Sequence, residues 1–147
     1  IVLAGAGEAW KIADTIRAAN VPVIVGPVMG RGWSDDEGHD RSFANAALLA
    51  DAGIPIAFSS GYEAYVPKVR VVLWEAAIAA TNGLGRERTV EALTLGAARI
   101  LGIDDRTGSL AAGKSADIVV FDGDPFEYTS HCTGTIIGGQ VFADGPH

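Results

Sequence analysis

The sequence predicts an α/β protein whose first part holds a parallel sheet and whose last part consists of short strands. Three apolar, β-branched runs near the start of the chain alternate with stretches of helical periodicity. Strands and helices that alternate through short connections are typical of βαβ units, whose strands run parallel. Beyond residue 105 only short β-branched runs and glycine-containing turns remain, which favours a small sheet.

The first part supplies three strands and two helices. The strands are predicted at residues 1–4, 21–25 and 54–58, and the helices at 8–20 and 41–52. The first helix is predicted from four apolar residues at helical spacing, which are Ala9, Ile12, Ala13 and Ile16. The second and third strands each have a proline near their start, where a missing backbone donor is tolerated.

The remaining elements are predicted from periodicity and glycine punctuation. Helical segments are predicted at 66–82, 89–95 and 97–102, and strands at 118–121, 134–137 and 140–143. Gly138 and Gly139 separate the last two strands and predict a two-residue hairpin turn.

The turns after the three parallel strands are the candidate site, because α/β folds place their chemistry at the carboxyl ends of such strands. Glu8 follows the first strand and Glu63 follows the third, so both are candidate catalytic carboxylates. Ser59 and Ser60 also follow the third strand, but they lack a G-x-S-x-G elbow, so a serine nucleophile is not expected.

A long loop at residues 26–40 lies between the second strand and the second helix. It is rich in glycine and aspartate and contains His39. Long loops in compact domains are often functional, and a histidine beside carboxylates could bind a divalent cation or relay protons. His39 is therefore a third candidate site residue, and a solvated acidic loop is the alternative. His131 and His147 are interpreted as surface residues.

Composition excludes several classes of function. The net charge of −7 argues against a nucleic-acid surface, which needs clustered lysine and arginine. The single cysteine, Cys132, permits no intrachain disulfide and no cysteine-based zinc site, and we expect it to be a small, partly buried hydrophobe.

No apolar run is long enough to span a bilayer, and no basic segment precedes the apolar start, so neither a membrane partner nor a signal peptide is expected. The compartment stays unknown, and the apolar start suggests a fragment.

The segment at residues 107–125 allows two interpretations. Four residues, Gly108, Gly113, Lys114 and Ser115, occupy the fixed positions of the phosphate loop G-x-x-x-x-G-K-[ST]. A phosphate loop joins a strand to a helix, whereas here a polar turn precedes the motif and the β-branched run Ile-Val-Val-Phe follows it. A turn that leads into a strand is therefore favoured, and nucleotide binding is the alternative.

The same segment, G-S-L-x-x-G-K-x-A-D-I-V-V-F-D, resembles the C-terminal signature of metal-dependent amidohydrolases, in particular their imidazolonepropionase-like branch. The run G-A-A-R-I-L-G-I at residues 96–103 is similar to another helix of that family. The resemblance implies that residues 1–105 form the last units of a TIM-like (β/α) barrel and that residues 106–147 form strands of an accessory β-sandwich. It also implies structural roles for Lys114 and Asp117. The residues themselves agree with this, since Lys114 in a turn is expected to be solvated and Asp117 to cap or pair locally.

The resemblance further implies hydrolysis of non-peptide, often cyclic, C–N bonds, with zinc or another divalent metal activating water. Two of the family's metal ligands would fall in this chain. The histidine of the sixth strand would match Gly5, and the aspartate of the eighth strand would match Gly61, or at most Ser59 or Ser60. Since glycine offers no side-chain donor, we expect no metal or other cofactor in this chain. The alternative function is a non-catalytic binding or assembly subunit that has lost its metal.

Fragment status implies partners. We expect this chain alone to be inactive and to need the missing N-terminal half of the barrel or a second chain. An open part of a barrel exposes strand edges, so an oligomer is expected. The substrate, if the parent is active, is a small molecule that the sequence does not name.

Overall fold

The computed structural model describes residues 1–29, 40–63 and 66–142, with only the backbone described at 62–63 and 66–67. His39 and His147 lie outside the described residues. The chain has a mixed α/β fold, as predicted. A parallel sheet with helices packed against it comes first, and a small antiparallel sheet follows.

The parallel sheet contains β1 (Leu3–Ala4), β2 (Val23–Val25) and β3 (Ile56–Phe58) in that spatial order. Its register places Leu3 beside Val23 and Val23 beside Ile56. β2 and β3 begin later than predicted, at the residues directly after Pro22 and Pro55, because each proline lacks a backbone donor. Pro22 accepts a hydrogen bond from the Leu3 N–H, and Pro55 accepts one from the Val23 N–H, so each proline contributes only its carbonyl.

The described ranges contain five α-helices. They are α1 (Ala13–Ala18), α2 (Asn45–Asp51), α3 (Val72–Ala79), α4 (Arg86–Leu93) and α5 (Leu95–Leu101). A 3₁₀ turn at Ala9–Ile12 leads into α1, another at Val69–Val71 leads into α3, and a π turn at Ala80–Leu84 ends α3. Gly102 ends α5 in the left-handed conformation, as the glycine signal predicted.

The prediction of one helix over 66–82 is wrong at its beginning. Two short antiparallel strands, β4 (Tyr62–Glu63) and β5 (Val66–Pro67), occupy this region instead. The apolar periodicity predicted a helix that begins too early. A proline lacks the N–H that an inner helical turn needs, so the helix cannot include Pro67 in its interior. The helix predicted at 41–52 also begins later, at Asn45.

The core lies between the sheet and its helices. Its largest fully buried side chains are Val23, Leu49, Leu84 and Thr89. Val23 and Val25 face the helices on one side of the sheet, and Leu49 of α2 packs in the same cluster. Helices therefore pack against the parallel sheet and bury most of β2 and β3.

The last part of the chain is an antiparallel sheet of β6 (Ile118–Phe121), β7 (Cys132–Ile137) and β8 (Gln140–Phe142). Gly138 and Gly139 both have positive φ, as the predicted two-residue hairpin turn requires. No residue from 103 to 142 is buried. An ion pair joins this part to α4, since Arg86 Nη2 lies 2.6 Å from Asp124 Oδ2.

Candidate functional site

The carboxyl ends of β1, β2 and β3 meet at one edge of the parallel sheet, as the sequence predicted. The Gly5 N–H donates to the carbonyl of Ile24, and the Ser59 N–H donates to the carbonyl of Val25. A Cβ at Gly5 would lie 3.9 Å from the Gly26 carbonyl oxygen. The three turns that follow the strands are thus in contact, and backbone rather than side chains forms most of this edge.

Gly26 and Gly61 are glycine for steric reasons. Gly26 has a φ of +137°, and a Cβ there would lie only 1.9 Å from the Ser59 carbonyl oxygen. Gly61 has a φ of +75°, and a Cβ there would lie 3.1 Å from the Pro27 ring. The turn after β2 and the turn after β3 are therefore packed together so closely that both positions favour glycine.

This geometry bears on the two positions that the resemblance matched to metal ligands. Gly5 has a φ of +76°, so its φ is positive, as is that of Gly61. Neither glycine has a side chain that could coordinate a metal ion. An aspartate at position 61 would have a strained backbone, and its Cβ would press on the Pro27 ring. Among the described residues no three His, Cys, Asp or Glu side chains cluster in a way that could hold a metal ion. The residues that the structure describes at this edge therefore do not fit a metal.

Glu8 lies just beyond β1, but its carboxylate is already engaged. Lys11 Nζ donates to Glu8 Oε2 at 2.9 Å, and the Asp40 N–H donates to Glu8 Oε1 at 3.0 Å. The hydrogen bond from Lys11, with that from the Asp40 backbone, lowers the pKa of Glu8. The hydrogen bonds that Lys11 donates to the Asp40 carboxylate and, to a smaller extent, to Glu8 raise the pKa of Lys11. A paired carboxylate of lowered pKa is a weaker base, so this arrangement ties residue 40 to the 3₁₀ turn rather than presenting an exposed proton acceptor.

The other two candidates are only partly placed. The backbone of Glu63 lies in β4, opposite Val66 of β5. His39 lies outside the described residues, so its role as a metal or proton site stays a prediction, as do the catalytic roles of Glu8 and Glu63.

Two buried polar residues near this edge were missed by the sequence interpretation. Asn45 is 3% exposed; its Oδ1 accepts a hydrogen bond from the Trp10 N–H, and its Nδ2 donates to the Ala6 carbonyl, both at 3.0 Å. Glu75 is 4% exposed, and its Oε2 accepts a hydrogen bond from the Met29 N–H at 2.9 Å. Each is a lone polar residue in an apolar stretch, and that contrast was the available signal.

Two cavities lie at opposite ends of the parallel strands. At the carboxyl edge a cavity of about 10 Å³ is lined by residues that include Gly7, Gly26 and Arg41. A cavity of about 560 Å³ lies at the opposite edge, where the residues before β2 and β3 face α4 and α5. The larger of these two cavities therefore lies away from the carboxyl edge.

The segment at residues 107–125 forms a turn and a strand, which confirms the favoured interpretation. No helix follows Ser115, since β6 begins at Ile118. Lys114 Nζ donates to Ser109 Oγ at 2.8 Å and to the Thr107 carbonyl at 3.4 Å, so this lysine is half-buried rather than solvated as predicted. The Lys114 side chain folds back on its own loop because the carbonyl and hydroxyl oxygens of that loop can accept hydrogen bonds from its ammonium group.

Asp117 has the local capping role that the sequence predicted. Its Oδ1 accepts a hydrogen bond from the Gly138 N–H at 2.8 Å, and the Gly139 N–H donates to the Ala116 carbonyl at 3.1 Å. The turn before β6 therefore holds the β7–β8 hairpin.

His131 lies just before β7, and Cys132 is the first residue of that strand. His131 is a surface residue, as predicted, with its Nδ1 3.4 Å from Asp122 Oδ2. The His131 backbone N–H, more than its ring, lowers the pKa of Asp122. Cys132 is exposed, which corrects the prediction of partial burial; nothing in the part of the chain after residue 102 that the structure describes is buried.

In the described ranges, no helix has the combined length and apolar character needed to cross a bilayer.

Comparison with known proteins agrees with the resemblance noted in the sequence. An imidazolonepropionase from Thermoplasma volcanium is 28% identical over 94 residues, which are 60% of this chain and 23% of that protein. The structure of an amidohydrolase from Thermotoga maritima has a TM-score of 0.88 and 31% identity, and the match covers 97% of this chain and 37% of that one. A zinc complex of an atrazine chlorohydrolase from Arthrobacter aurescens shares the fold at 21% identity, with a TM-score of 0.68 and coverage of 97% and 36%.

This chain thus spans less than half the length of each of these relatives. A sequence profile of the amidohydrolase family matches residues 11–143, which is nearly all of the chain. The chain therefore belongs to the amidohydrolase family.

Proposed function

We propose that the chain is the C-terminal part of an amidohydrolase-like protein whose nominal activity is metal-dependent hydrolysis of non-peptide, often cyclic, C–N bonds. The observation that carries this proposal is the match to the Thermotoga amidohydrolase, which covers 97% of this chain but only 37% of the relative. In this proposal β1, β2 and β3 are the sixth, seventh and eighth strands of a TIM-like barrel. Residues 106–147 are strands of the accessory sandwich.

The chain's own contribution to such a site is a wall of backbone. Gly5, Gly26 and Gly61 bring no side chain to the carboxyl edge, and the Ser59 carbonyl packs directly on Gly26. A metal ion and the water that it activates would need their ligands from polypeptide outside these residues. We therefore expect this chain by itself to be inactive.

The surface of the described unit supports a need for a partner. Trp74 is 61% exposed and Val69 is 71% exposed, although α3 and the turn before it are almost wholly apolar. The outer edge of β1 is unpaired among the described residues. Exposed apolar helices and open strand edges favour association with the rest of a barrel or with a second chain.

Two measurements test this proposal. The first is hydrolysis of a panel of cyclic and acyclic amides by the 147-residue chain with added zinc. We expect no turnover, and metal-dependent turnover would refute the assignment of the missing ligands to other polypeptide. The second is molar mass by light scattering after size exclusion. We expect association, and a monomer that persists on dilution would contradict the open-barrel interpretation.

The alternative function is a non-catalytic amidohydrolase-like subunit that binds or assembles without a metal. The glycines at positions 5 and 61 favour it, because a barrel that keeps its packing can lose its ligands. The coding sequence upstream of Ile1 separates the two. A His-x-His strand followed by lysine and histidine ligands would indicate a hydrolase, and their absence would indicate a pseudoenzyme with binding partners.

A further inference from the structure

Glu75 is a buried carboxylate in a helix that is otherwise apolar. It is 4% exposed, and the remaining residues of α3 are valine, leucine, tryptophan, isoleucine and alanine. An ionised carboxylate is unfavourable in such a place unless hydrogen bonds replace its water. Its place in the first turn of α3 stabilises the charge, but a solvent-facing position would do so at lower cost. The burial therefore calls for a specific acceptor role.

That role is visible in the turn after β2. The Met29 N–H donates to Glu75 Oε2 at 2.9 Å, and residues 26–29, here named the β2 turn, lead from the strand to Met29. Val28 packs against the core between these points. Glu75 thus fixes the far end of the β2 turn from the side of α3.

The near end of the β2 turn is fixed by the residues after β3. Residues 59–61, here named the β3 turn, touch it twice. Gly26 lies against the Ser59 carbonyl, and the Pro27 ring lies against Gly61. Within the β3 turn the Gly61 N–H donates to Ser59 Oγ at 3.1 Å. A shift of the β2 turn would therefore press on the β3 turn, because Gly26 lies directly against the Ser59 carbonyl and the Pro27 ring lies beside Gly61.

We propose that Glu75 is a positioning residue that holds the β2 turn and, through Pro27, sets the position of the β3 turn at the carboxyl edge. The relevance of that edge to catalysis rests on the proposed function, whereas the mechanical link rests only on the contacts given above. The test below needs no assay of hydrolysis, so failure of this proposal is distinguishable from failure of the proposed function.

The experiment measures amide hydrogen exchange by NMR in the full 147-residue chain and in three variants. Glu75→Met keeps the side-chain volume and the helical preference but removes the acceptor, so it is expected to fold. Glu75→Gln keeps an acceptor oxygen at the same distance along the side chain. Glu87→Met is the matched control, since Glu87 is an exposed acidic residue in the first turn of α4.

In Glu75→Met we expect exchange at the Met29 amide to rise by about tenfold or more, which is the loss of one hydrogen bond to a charged group. The Gly61 amide should exchange faster as well, and the Val23 amide, which is bonded to Pro55 in the sheet, should not change. Glu75→Gln should restore slow exchange at both turns, and Glu87→Met should leave all three amides unchanged.

Three results would overturn the proposal. Unchanged exchange at Met29 in Glu75→Met would show that the hydrogen bond does not hold the turn. A parallel rise at Val23 would show that Glu75 only contributes to global stability. A rise at Met29 without one at Gly61 would show that the β3 turn is positioned independently of Glu75.

Discussion

The parallel sheet β1–β3 and the antiparallel sheet β6–β8 are built from similar strands but differ in what covers them. Val23 in β2 is fully buried, whereas Val119 and Val120 in β6 are 52% and 47% exposed. In the parallel sheet, α2 packs against the strands and supplies Leu49 to the core. Residues 103–142 contain apolar strands and no helix, and none of them is buried. A strand's composition thus predicts its conformation, while its burial depends on what lies against it.

Gly26 at the carboxyl edge of the parallel sheet and Gly113 in the turn before the small sheet are glycine for different reasons. Gly26 is required by contact, since its neighbour would collide with any side chain. Gly113 is required only by its φ of +89°, and nothing lies within 4 Å of a Cβ placed there. The first kind of glycine indicates a packed site, and the second kind indicates a turn on the surface.

The largest expected effect comes from testing this difference with two Gly→Ala substitutions. Gly26→Ala should lower the free energy of unfolding by roughly 4 kcal/mol, because backbone strain adds to a collision with Ser59. Gly113→Ala should lower it by only about 1 kcal/mol, from strain alone. Urea unfolding at fixed protein concentration measures both. Similar losses in the two variants would show that the strand ends relax easily and that the edge is not closely packed.

The next largest effect compares the two sheets through one valine from each. Val23→Ala should lower the free energy of unfolding by about 2 kcal/mol, since it removes buried methyl groups and leaves a cavity. Val119→Ala should change it by less than about 0.5 kcal/mol, because that side chain is half in water. The same unfolding titration tests both. A loss at Val119 as large as that at Val23 would show that another chain covers the small sheet in solution.

Local patterns were sufficient to predict the order of elements but not the contacts between distant ones. The strands at residues 21–25 and 54–58 were found because β-branched runs and a leading proline are local signals. The β4–β5 pair was missed because Pro67 stood inside an apolar periodic run. Asn45 and Glu75 were missed because the burial of a polar group depends on the backbone groups that tertiary packing brings to it. The α/β class was therefore predictable, and the buried polar residues at the edge were not.

The candidate site shows the same limit. The strand ends at Gly5, Gly26 and Gly61 were predicted to meet because parallel topology requires it. The engagement of Glu8 by Lys11 and by the Asp40 backbone could not be read from its position after β1. Lys114 was expected to be solvated, because nothing in the local sequence indicates that Ser109 and Thr107 accept hydrogen bonds from its ammonium group.

A smaller effect is expected where the small sheet depends on a single cap. Asp117→Ala removes the acceptor of the Gly138 N–H and should lower the free energy of unfolding by about 0.5–1 kcal/mol, since water can replace part of an exposed hydrogen bond. Hydrogen exchange at Gly138 should become faster at the same time. Asp105→Ala, an exposed aspartate outside the hairpin, is the control. An unchanged Gly138 amide would show that the two glycines alone hold the turn.

The smallest effect concerns the ion pair that flanks the parallel edge, and pH isolates it. The pKa of Glu8 is lowered in the folded chain by Lys11 and the Asp40 N–H, so the carboxylate stabilises the fold at pH values above its unfolded pKa. This stabilisation is lost as the pH falls through the lowered folded pKa. Glu8→Gln should therefore be less stable than the wild type at about pH 7 and equally stable at about pH 2. Urea midpoints at both values measure this difference, with Glu87→Gln as an exposed control. A difference that persists in acid would show that Glu8 acts through its shape and hydrogen bonding, because a protonated carboxyl carries no charge for Lys11 to hold.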